Sequence, residues 1–344
     1  MGSLDRDALR RQDFSLDDNQ LAVHNAFADF YANESPTSVV RAAEPLGHDK
    51  ALWAQLVSMG AASMGLPESA GGDGATLLDL VLVAERHGHA VAPAPFISHA
   101  VATRLLAASG LREGATGERI VTLALEPVPP GARRLVPDAA IAADVVVYDG
   151  ETLALHSAAQ PSEHVPNQGS TPLGWWQADP GAAVTGLATG ERAATLHRRA
   201  VSEWKLLTAA ALVGMTEAAL TLGVEFSKTR ETLGVPIGTL QGVAFPLVDV
   251  QIGISGVQNL VRKAAWMTEN EPDTQPELVP LAFAAANEVA TRGTTVAAHV
   301  QGGLGFTTEA DASLYFLRAK GWGVLAGNPA DGLREAAALL IARA

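Results

Sequence analysis

The sequence contains no cysteine, and this absence removes several kinds of chemistry. Without cysteine there is no disulfide, no thiolate nucleophile and no sulfur ligand for a metal. The nine histidines are scattered, and His87 and His89 are two residues apart, whereas a zinc-binding helix places its histidines four residues apart. A Gly-x-x-x-x-Gly-Lys-Ser/Thr loop is also absent. We therefore expect no metal site and no nucleotide hydrolysis.

Positive charge is scarce relative to negative charge. The 344 residues include 24 lysines and arginines against 37 aspartates and glutamates, which gives a formal net charge of −13. Nucleic-acid-binding proteins present a basic face to phosphates, so nucleic acid is not an expected partner. The longest apolar runs are shorter than the ~18–20 residues that cross a membrane, and the N-terminus lacks a signal-peptide core. We predict a cytoplasmic protein without a membrane span.

The sequence is rich in apolar residues that recur at helical spacing. Aromatic residues make up only 5% of a chain that is 48% hydrophobic, a composition that favours packed helices. Ser15 followed by Asp18 has the form of a helix start, and Leu247, Val250 and Ile254 begin an apolar stripe. The further predicted helices cover residues 51–64, 77–87, 98–108, 192–230, 244–268, 276–300 and 309–343.

Between the two helical regions the pattern changes to that of short strands. Residues 120–125 form a short apolar run, and residues 144–148, which read DVVVY, lead into Asp149-Gly150, a dipeptide typical of hairpin turns. The predicted fold is therefore mainly α with a central β domain. It comprises an N-terminal α-helical domain over 1–117, a small β domain over 118–190 and a C-terminal four-helix bundle over 191–344.

Three short sequence segments, spread over nearly the whole chain, resemble motifs of the acyl-CoA dehydrogenase family. Residues 66–74 read LPESAGGDG, residues 229–238 read TRETLGVPIG and residues 299–306 read HVQGGLGF. The second string is similar to the family's Arg-x-x-Phe-Gly-x-x-Ile block, and the third is similar to its Gln-x-x-Gly-Gly-x-Gly-Phe block. The resemblance implies the acyl-CoA dehydrogenase fold, FAD as cofactor and α,β-desaturation of an acyl-CoA thioester.

The resemblance also implies which residues contact FAD. In the family each FAD lies at a dimer interface, where one subunit seats the isoalloxazine ring against its β domain and the neighbour holds the ADP half. Carried over, the residues that would serve the partner's flavin are Arg230, Leu233, Gln241, His299, Gly302 and Gly303. His299 stands where the family usually has glutamine, and Leu233 where it usually has phenylalanine. An arginine fork suits a pyrophosphate, and paired glycines let a backbone approach a ligand.

The carboxylate that the reaction needs is missing from its usual positions. Acyl-CoA dehydrogenation uses a carboxylate to remove the α-proton, and the family places it at one of two positions. Here those positions hold Ala326 and Trp204, neither of which can act as a base. Glu203 is one residue from Trp204, about 100° around a helix. It is the remaining candidate base, and its alternative interpretation is a solvent-facing carboxylate.

The β domain departs from the family as well. The family's Thr-Glu-Pro-Gly-x-Gly-Ser-Asp run is replaced by LEPVPPG at residues 125–131, and Trp175-Trp176 do not match the tryptophan motif beside the flavin. For Trp175-Trp176 we expect core packing or a surface loop.

These departures imply a degenerate, non-catalytic subunit. Such a chain resembles one partner of the heteromeric actinobacterial enzymes of steroid degradation, and it would contribute FAD half-sites to a catalytic acyl-CoA dehydrogenase subunit. The complex would act on an acyl-CoA and pass electrons to an electron-transfer acceptor. Two alternatives stay open: a self-sufficient acyl-CoA dehydrogenase that uses Glu203 as base, and a flavin-free homodimeric binding or scaffold protein of the same fold.

Overall fold

Five α-helices form the N-terminal part of the protein within residues 15–112. The structure is a computed structural model, and it describes residues 15–112 and 114–343. The helices are α1 (Asp18–Glu34), α2 (Thr37–Ala42), α3 (Lys50–Ser58), α4 (Leu77–His89) and α5 (Phe96–Ala108).

Two helix ends in this region differ from the prediction. The N-cap of α1 is Asp17 and not Ser15, because Asp17 and Gln20 each accept a hydrogen bond from the other's backbone N–H (2.9 and 3.0 Å), which satisfies two free donors at once. Helix α3 ends at Ser58 and not at residue 64, since Gly60 adopts a left-handed conformation with a φ of 81°.

Seven strands follow in two small sheets. The first sheet has the order β1 (Val121–Leu123), β3 (Asp144–Tyr148), β4 (Thr152–Ser157) and β7 (Ala183–Thr189); the second has β2 (Arg134–Val136), β6 (Gly174–Trp176) and β5 (Glu163–His164).

The predicted hairpin at Asp149 is present. The Asp149 carboxylate accepts hydrogen bonds from the backbone N–H groups of Glu151 and Thr152, and β3 pairs antiparallel with β4. Both tryptophans of the pair lie on β6, where Trp176 packs into the core shared by the two sheets and Trp175 is 37% exposed.

The C-terminal part is a helical bundle. Helix α6 (Gly190–Thr229) leads through the short strands β8 (Glu231–Thr232) and β9 (Val235–Pro236) to α7 (Gln241–Asn270) and α8 (Leu278–Val300).

The prediction of a single helix over 309–343 is wrong, because α9 (Asp311–Gly323) and α10 (Pro329–Arg343) are separated by a turn. Gly327 has a φ of 93° there, and Pro329 cannot continue a preceding helix. Element types therefore change between Ala108 and Val121 and again at Gly190, while the domain boundaries at 117/118 and 190/191 stay predictions.

Helix α6 is the core of the bundle. Of the helices that the structure describes, it alone is long and apolar enough to cross a membrane by length and composition, but 78% of its most apolar window is buried inside the protein. Burial by neighbouring helices accounts for its apolar character.

The N-terminal part meets the bundle where α4 crosses α6 with the two backbones in contact. A Cβ atom on Gly88 of α4 would collide with the carbonyl group of Ala211, and a Cβ atom on Gly214 of α6 would collide with the carbonyl group of Glu85. Two glycines, one on each helix, therefore set the distance between the two parts of the protein.

We predict that Gly88→Ala and Gly214→Ala each destabilise the fold by about 1–3 kcal/mol, because the helices must separate to admit a methyl group. The matched control is Gly256→Ala in the exposed interior of α7, where a Cβ atom meets open space. That change should stabilise the protein by about 0.5–1 kcal/mol. Urea unfolding of the three variants checks both signs, and an unchanged Gly214→Ala protein would contradict the close crossing.

Candidate functional site

The six residues predicted to contact FAD lie at one end of the bundle. There α6 ends, α7 begins and α8 ends, and a Cβ atom on Gly223 of α6 would touch Leu247 of α7 and Ala297 of α8 at 3.3 Å. The chain segments that leave this end are 230–241 and 301–306. The structure therefore places the two sequence blocks at the same end of the molecule, although about 70 residues separate them along the chain.

The first block presents a free guanidinium. Arg230 caps the end of α6, where its backbone N–H donates to the Phe226 carbonyl (2.9 Å) and its carbonyl accepts from the Ile237 N–H (2.8 Å). Its exposed side chain makes no hydrogen bond or ion pair with any residue that the structure describes. Leu233 is 93% exposed at the tip of the β8–β9 hairpin, and Gln241 is exposed at the start of α7.

In the second block, the backbone of the two glycines Gly302 and Gly303 is exposed to solvent. Gly302 has a φ of 60° and is exposed beside the exposed Gly303, and at both positions a Cβ atom would meet open space. His299 is exposed in the last turn of α8. A free guanidinium together with accessible glycine backbone fits the pyrophosphate and ribose of a dinucleotide. These residues therefore fit the ADP half of FAD.

The segment that should seat the isoalloxazine ring does not fit it. Val128 stands within the family's Gly-x-Gly-Ser-Asp region, but it is only 4% exposed and packs into the core of the β part, and its N–H donates to the Tyr148 carbonyl (2.8 Å). Pro127, Pro129 and Pro130 have no N–H to offer a ligand. A buried valine among prolines leaves no hydroxyl or free N–H group for a flavin ring.

Trp204, at one of the two usual base positions, lines a small cavity. Ala326, at the other, is next in sequence to a residue that lines the same cavity. The cavity measures about 60 Å³ and lies where the N-terminal helices, the β part and the bundle meet. Trp204 lines it and is 3% exposed, with its indole N–H donating to the Ser98 hydroxyl (3.3 Å). Leu325, the neighbour of the half-buried Ala326, also lines it.

Glu203 lies in a different environment, and its interpretation as a solvent-facing carboxylate is wrong. The residue is 4% exposed because α5 covers this face of α6. Arg104 Nε donates to one carboxylate oxygen (2.9 Å) and Arg199 Nε to the other (3.1 Å). Glu203 lines a second cleft, of about 210 Å³, and not the cavity that Trp204 lines. Its two oxygens are thus occupied by ion pairs.

The sequence was compared with protein-family models and with known proteins, and both comparisons point to one family. The N-terminal domain of acyl-CoA dehydrogenases matches residues 17–118, and their C-terminal domain matches residues 194–340. The acyl-CoA dehydrogenase IpdE2 of Mycolicibacterium smegmatis is 31% identical over 311 residues, which span 88% of this chain and 92% of that protein. The chain belongs to the acyl-CoA dehydrogenase family. Both the predicted family and the predicted fold class are confirmed.

Solved structures of acyl-CoA dehydrogenases extend the similarity over nearly the whole chain. The ChsE4–ChsE5 complex from Mycobacterium tuberculosis includes a chain that is 26% identical, with a TM-score of 0.85 and coverage of 96% of this chain and 99% of that one. A variant of the steroid ACAD Tcur3481–Tcur3483 has 25% identity, a TM-score of 0.84 and coverage of 94% and 98%. The family is one of oxidoreductases, and FAD is its cofactor, as predicted.

Sequence reasoning missed one titratable group of this acyl-CoA dehydrogenase chain. Asp138 follows β2 with a φ of 57° and is one of the residues that line the same cavity as Trp204. Burial raises the pKa of Asp138 to about 6, although a hydrogen bond with Ser98 opposes the rise. No motif marks an aspartate in a turn, so only the folded chain reveals this position.

We predict that Asp138→Asn stabilises the protein above pH 6, by at most about 3 kcal/mol, and has little effect near pH 4. The folded-state pKa is raised above the unfolded value of 3.8, so the stability that this carboxyl contributes is complete below pH 4 and is lost as pH rises through 6. Unfolding of both proteins between pH 4 and 8 measures the difference. The exposed Asp273→Asn is the control, and an equal gain at every pH would exclude the buried titration.

Proposed function

We propose that this chain is the non-catalytic subunit of a heteromeric, FAD-dependent acyl-CoA dehydrogenase. Its Arg230 and Gly302 blocks would hold the ADP half of an FAD whose ring lies in a catalytic partner. The observation that carries the proposal is the contrast between two halves of one cofactor site. The residues that we propose hold ADP are exposed, whereas buried Val128 occupies the proposed ring seat and the base positions hold Trp204 and Ala326.

The surface near these blocks supports a partner chain. Phe245, Val248 and Ile252 follow one another at helical spacing on the outer face of α7 and are 59%, 54% and 65% exposed. Leu304 and Phe306, directly after the glycine pair, are 47% and 62% exposed. Apolar patches of this kind in a water-soluble protein mark interaction surfaces. We infer that a catalytic acyl-CoA dehydrogenase subunit covers them, in a heterotetramer of two chains of each kind.

The relatives suggest the substrate class. Because the chain resembles a steroid ACAD and the ChsE4–ChsE5 complex, we propose a steroid-derived acyl-CoA as the substrate of the complex. The hydride acceptor in this chemistry is FAD, and a separate electron-transfer acceptor reoxidises it. The role of this chain is to bind and orient the ADP half, while the partner supplies the carboxylate that removes the α-proton.

The two alternatives fit the geometry less well. A self-sufficient enzyme would need Glu203 as its base, but Arg104 and Arg199 hold both carboxylate oxygens in a cleft that Trp204 does not line. A flavin-free scaffold protein would leave the guanidinium of Arg230 and the open backbone of Gly302 without a role.

Flavin content tests the proposal. We predict that the chain, co-expressed with a catalytic acyl-CoA dehydrogenase subunit, co-purifies with one FAD per pair of chains, measured by flavin absorbance against protein mass. The chain alone should not reduce an electron acceptor in the presence of an acyl-CoA. One FAD per chain, or activity of the chain alone that Glu203→Gln abolishes, would refute the non-catalytic role. A flavin-free complex would favour the scaffold protein.

We predict further that Arg230→Ala weakens FAD binding to the complex about ten-fold to a hundred-fold, because a hydrogen bond to a charged group contributes roughly 1.5–3 kcal/mol. Arg198→Ala is the matched control, since Arg198 is an exposed arginine near the other end of α6. Quenching of flavin fluorescence on titration measures the affinity, and thermal unfolding tests the fold. An intact complex with unchanged FAD affinity would remove Arg230 from the cofactor site.

A further inference from the structure

A cleft of about 290 Å³ in the β part is lined by residues of both sheets. Val145 of β3 and Trp176 of β6, which belong to the core shared by the sheets, form its buried wall. This β cleft shares no lining residue with the cavity beside Trp204 or with the cleft beside Glu203. Small-molecule sites often lie at the mouths of β-barrels, and a cleft between two sheets offers the same kind of space.

The β cleft has the size of a bicyclic ring. A dry cavity of about 150 Å³ holds benzene, so by proportion a purine base, with about ten heavy atoms in place of six, needs about 250 Å³. The cleft meets this requirement. Its outer residues Gln160, Gln177 and Asp179 are exposed, so a sugar attached to the base would extend into solvent.

Aromatic side chains of the β cleft supply a surface on which a ring can stack. Trp175 is 37% exposed, and the Arg133 guanidinium lies over its ring, 4.8 Å from the centroid. The indole therefore already presents a face to a planar group. The ring of His156 lies edge-on to Trp176, with centroids 5.2 Å apart, and burial lowers the pKa of His156, so this ring is largely neutral at pH 7. An uncharged planar ring would be stabilised by stacking on Trp175.

Two side-chain amides give the β cleft its hydrogen-bonding character. Neither Gln160 nor Gln177 makes a side-chain hydrogen bond with any residue that the structure describes. An amide offers a donor beside an acceptor, the pattern that pairs with N6 and N7 of adenine. Guanine presents two acceptors at the same edge and pairs with arginine instead. Arg133 is already bound to Glu163 (2.8 Å), so the lining favours adenine.

The charges in the lining do not favour a phosphate. Arg133 and Asp179 have opposite charges, and the Asp179 carboxylate accepts a hydrogen bond from the Gly181 N–H (2.8 Å). Because these two charges balance, the β cleft has no excess of positive charge to attract a phosphate group.

We propose that the β cleft binds an uncharged adenine nucleoside, with its base stacked on Trp175 and paired with the amide of Gln160 or Gln177. The proposal goes beyond the proposed function, because the cleft is built from the β part alone and contains none of the candidate cofactor or base residues.

Titration calorimetry of the full-length chain with adenosine tests the proposal. We expect one saturable site per chain, with a dissociation constant on the order of 0.1 mM for an uncharged ligand of this size. Trp175→Ala should weaken binding about five-fold to a hundred-fold, which is the contribution of stacking one base on an aromatic ring. Trp175→Phe keeps a flat ring and should retain most of the affinity.

Inosine tests the hydrogen bonds, because it carries an oxygen where adenosine carries its N6 amino group. Adenosine should bind about ten-fold more tightly than inosine. Combining Gln160→Met and Gln177→Met, both at exposed positions where folding is not at risk, should remove this preference. The matched control is Gln168→Met, which changes another exposed glutamine of the β part outside the cleft lining and should preserve the preference.

Three results would overturn the adenosine site. The first is no saturable binding of adenosine up to about 5 mM, well above the expected dissociation constant. The second is equal affinity for adenosine and inosine. The third is binding that Arg230→Ala abolishes and Trp175→Ala leaves unchanged, since adenosine would then occupy the candidate FAD residues and not the β cleft.

Discussion

The backbone contact between α4 and α6 is the constraint on which the other features depend. Gly88 and Gly214 let the N-terminal helices approach α6 more closely than any side chain would permit. Because α6 is also the buried core of the bundle, its residues meet the N-terminal part and the β part at once. The hydrogen bond from Trp204 to Ser98 and the ion pair of Glu203 with Arg104 join α6 to α5, another helix of the N-terminal part. A change in helix spacing would alter both sides of α6 together.

The two faces of α6 at positions 203 and 204 have different physical characters. On one face a buried carboxylate is balanced by two guanidiniums, an arrangement in which removing one partner leaves an uncompensated charge. On the other face an indole fills a mostly apolar cavity. Neither arrangement leaves a free carboxylate near the cavity from α6. At the other end of the same helix the Arg230 side chain is exposed and has no partner among the residues that the structure describes.

The sequence predicted the parts of the fold that depend on local pattern. Apolar spacing located α4, α6, α7 and α8, and Asp149-Gly150 located the β3–β4 turn. It could not show that Glu203 is buried, because the covering Arg104 lies 99 residues earlier in the chain. The break before α10 needed the left-handed φ of Gly327, and the cavity carboxyl of Asp138 arises only when three parts of the chain meet. The candidate cofactor residues came from family resemblance and not from any local pattern in the sequence.

The exposed apolar side chains at the end of the bundle affect how the protein must be produced. Leu233, Phe245 and Ile252 are each more than half exposed, and a chain that carries them uncovered is a substrate for chaperones and proteases. Under the proposed function, copies of this chain made in excess of the catalytic subunit would therefore be degraded or would aggregate. Matched translation of the two chains, from adjacent coding sequences, would let each new copy be covered as soon as it folds.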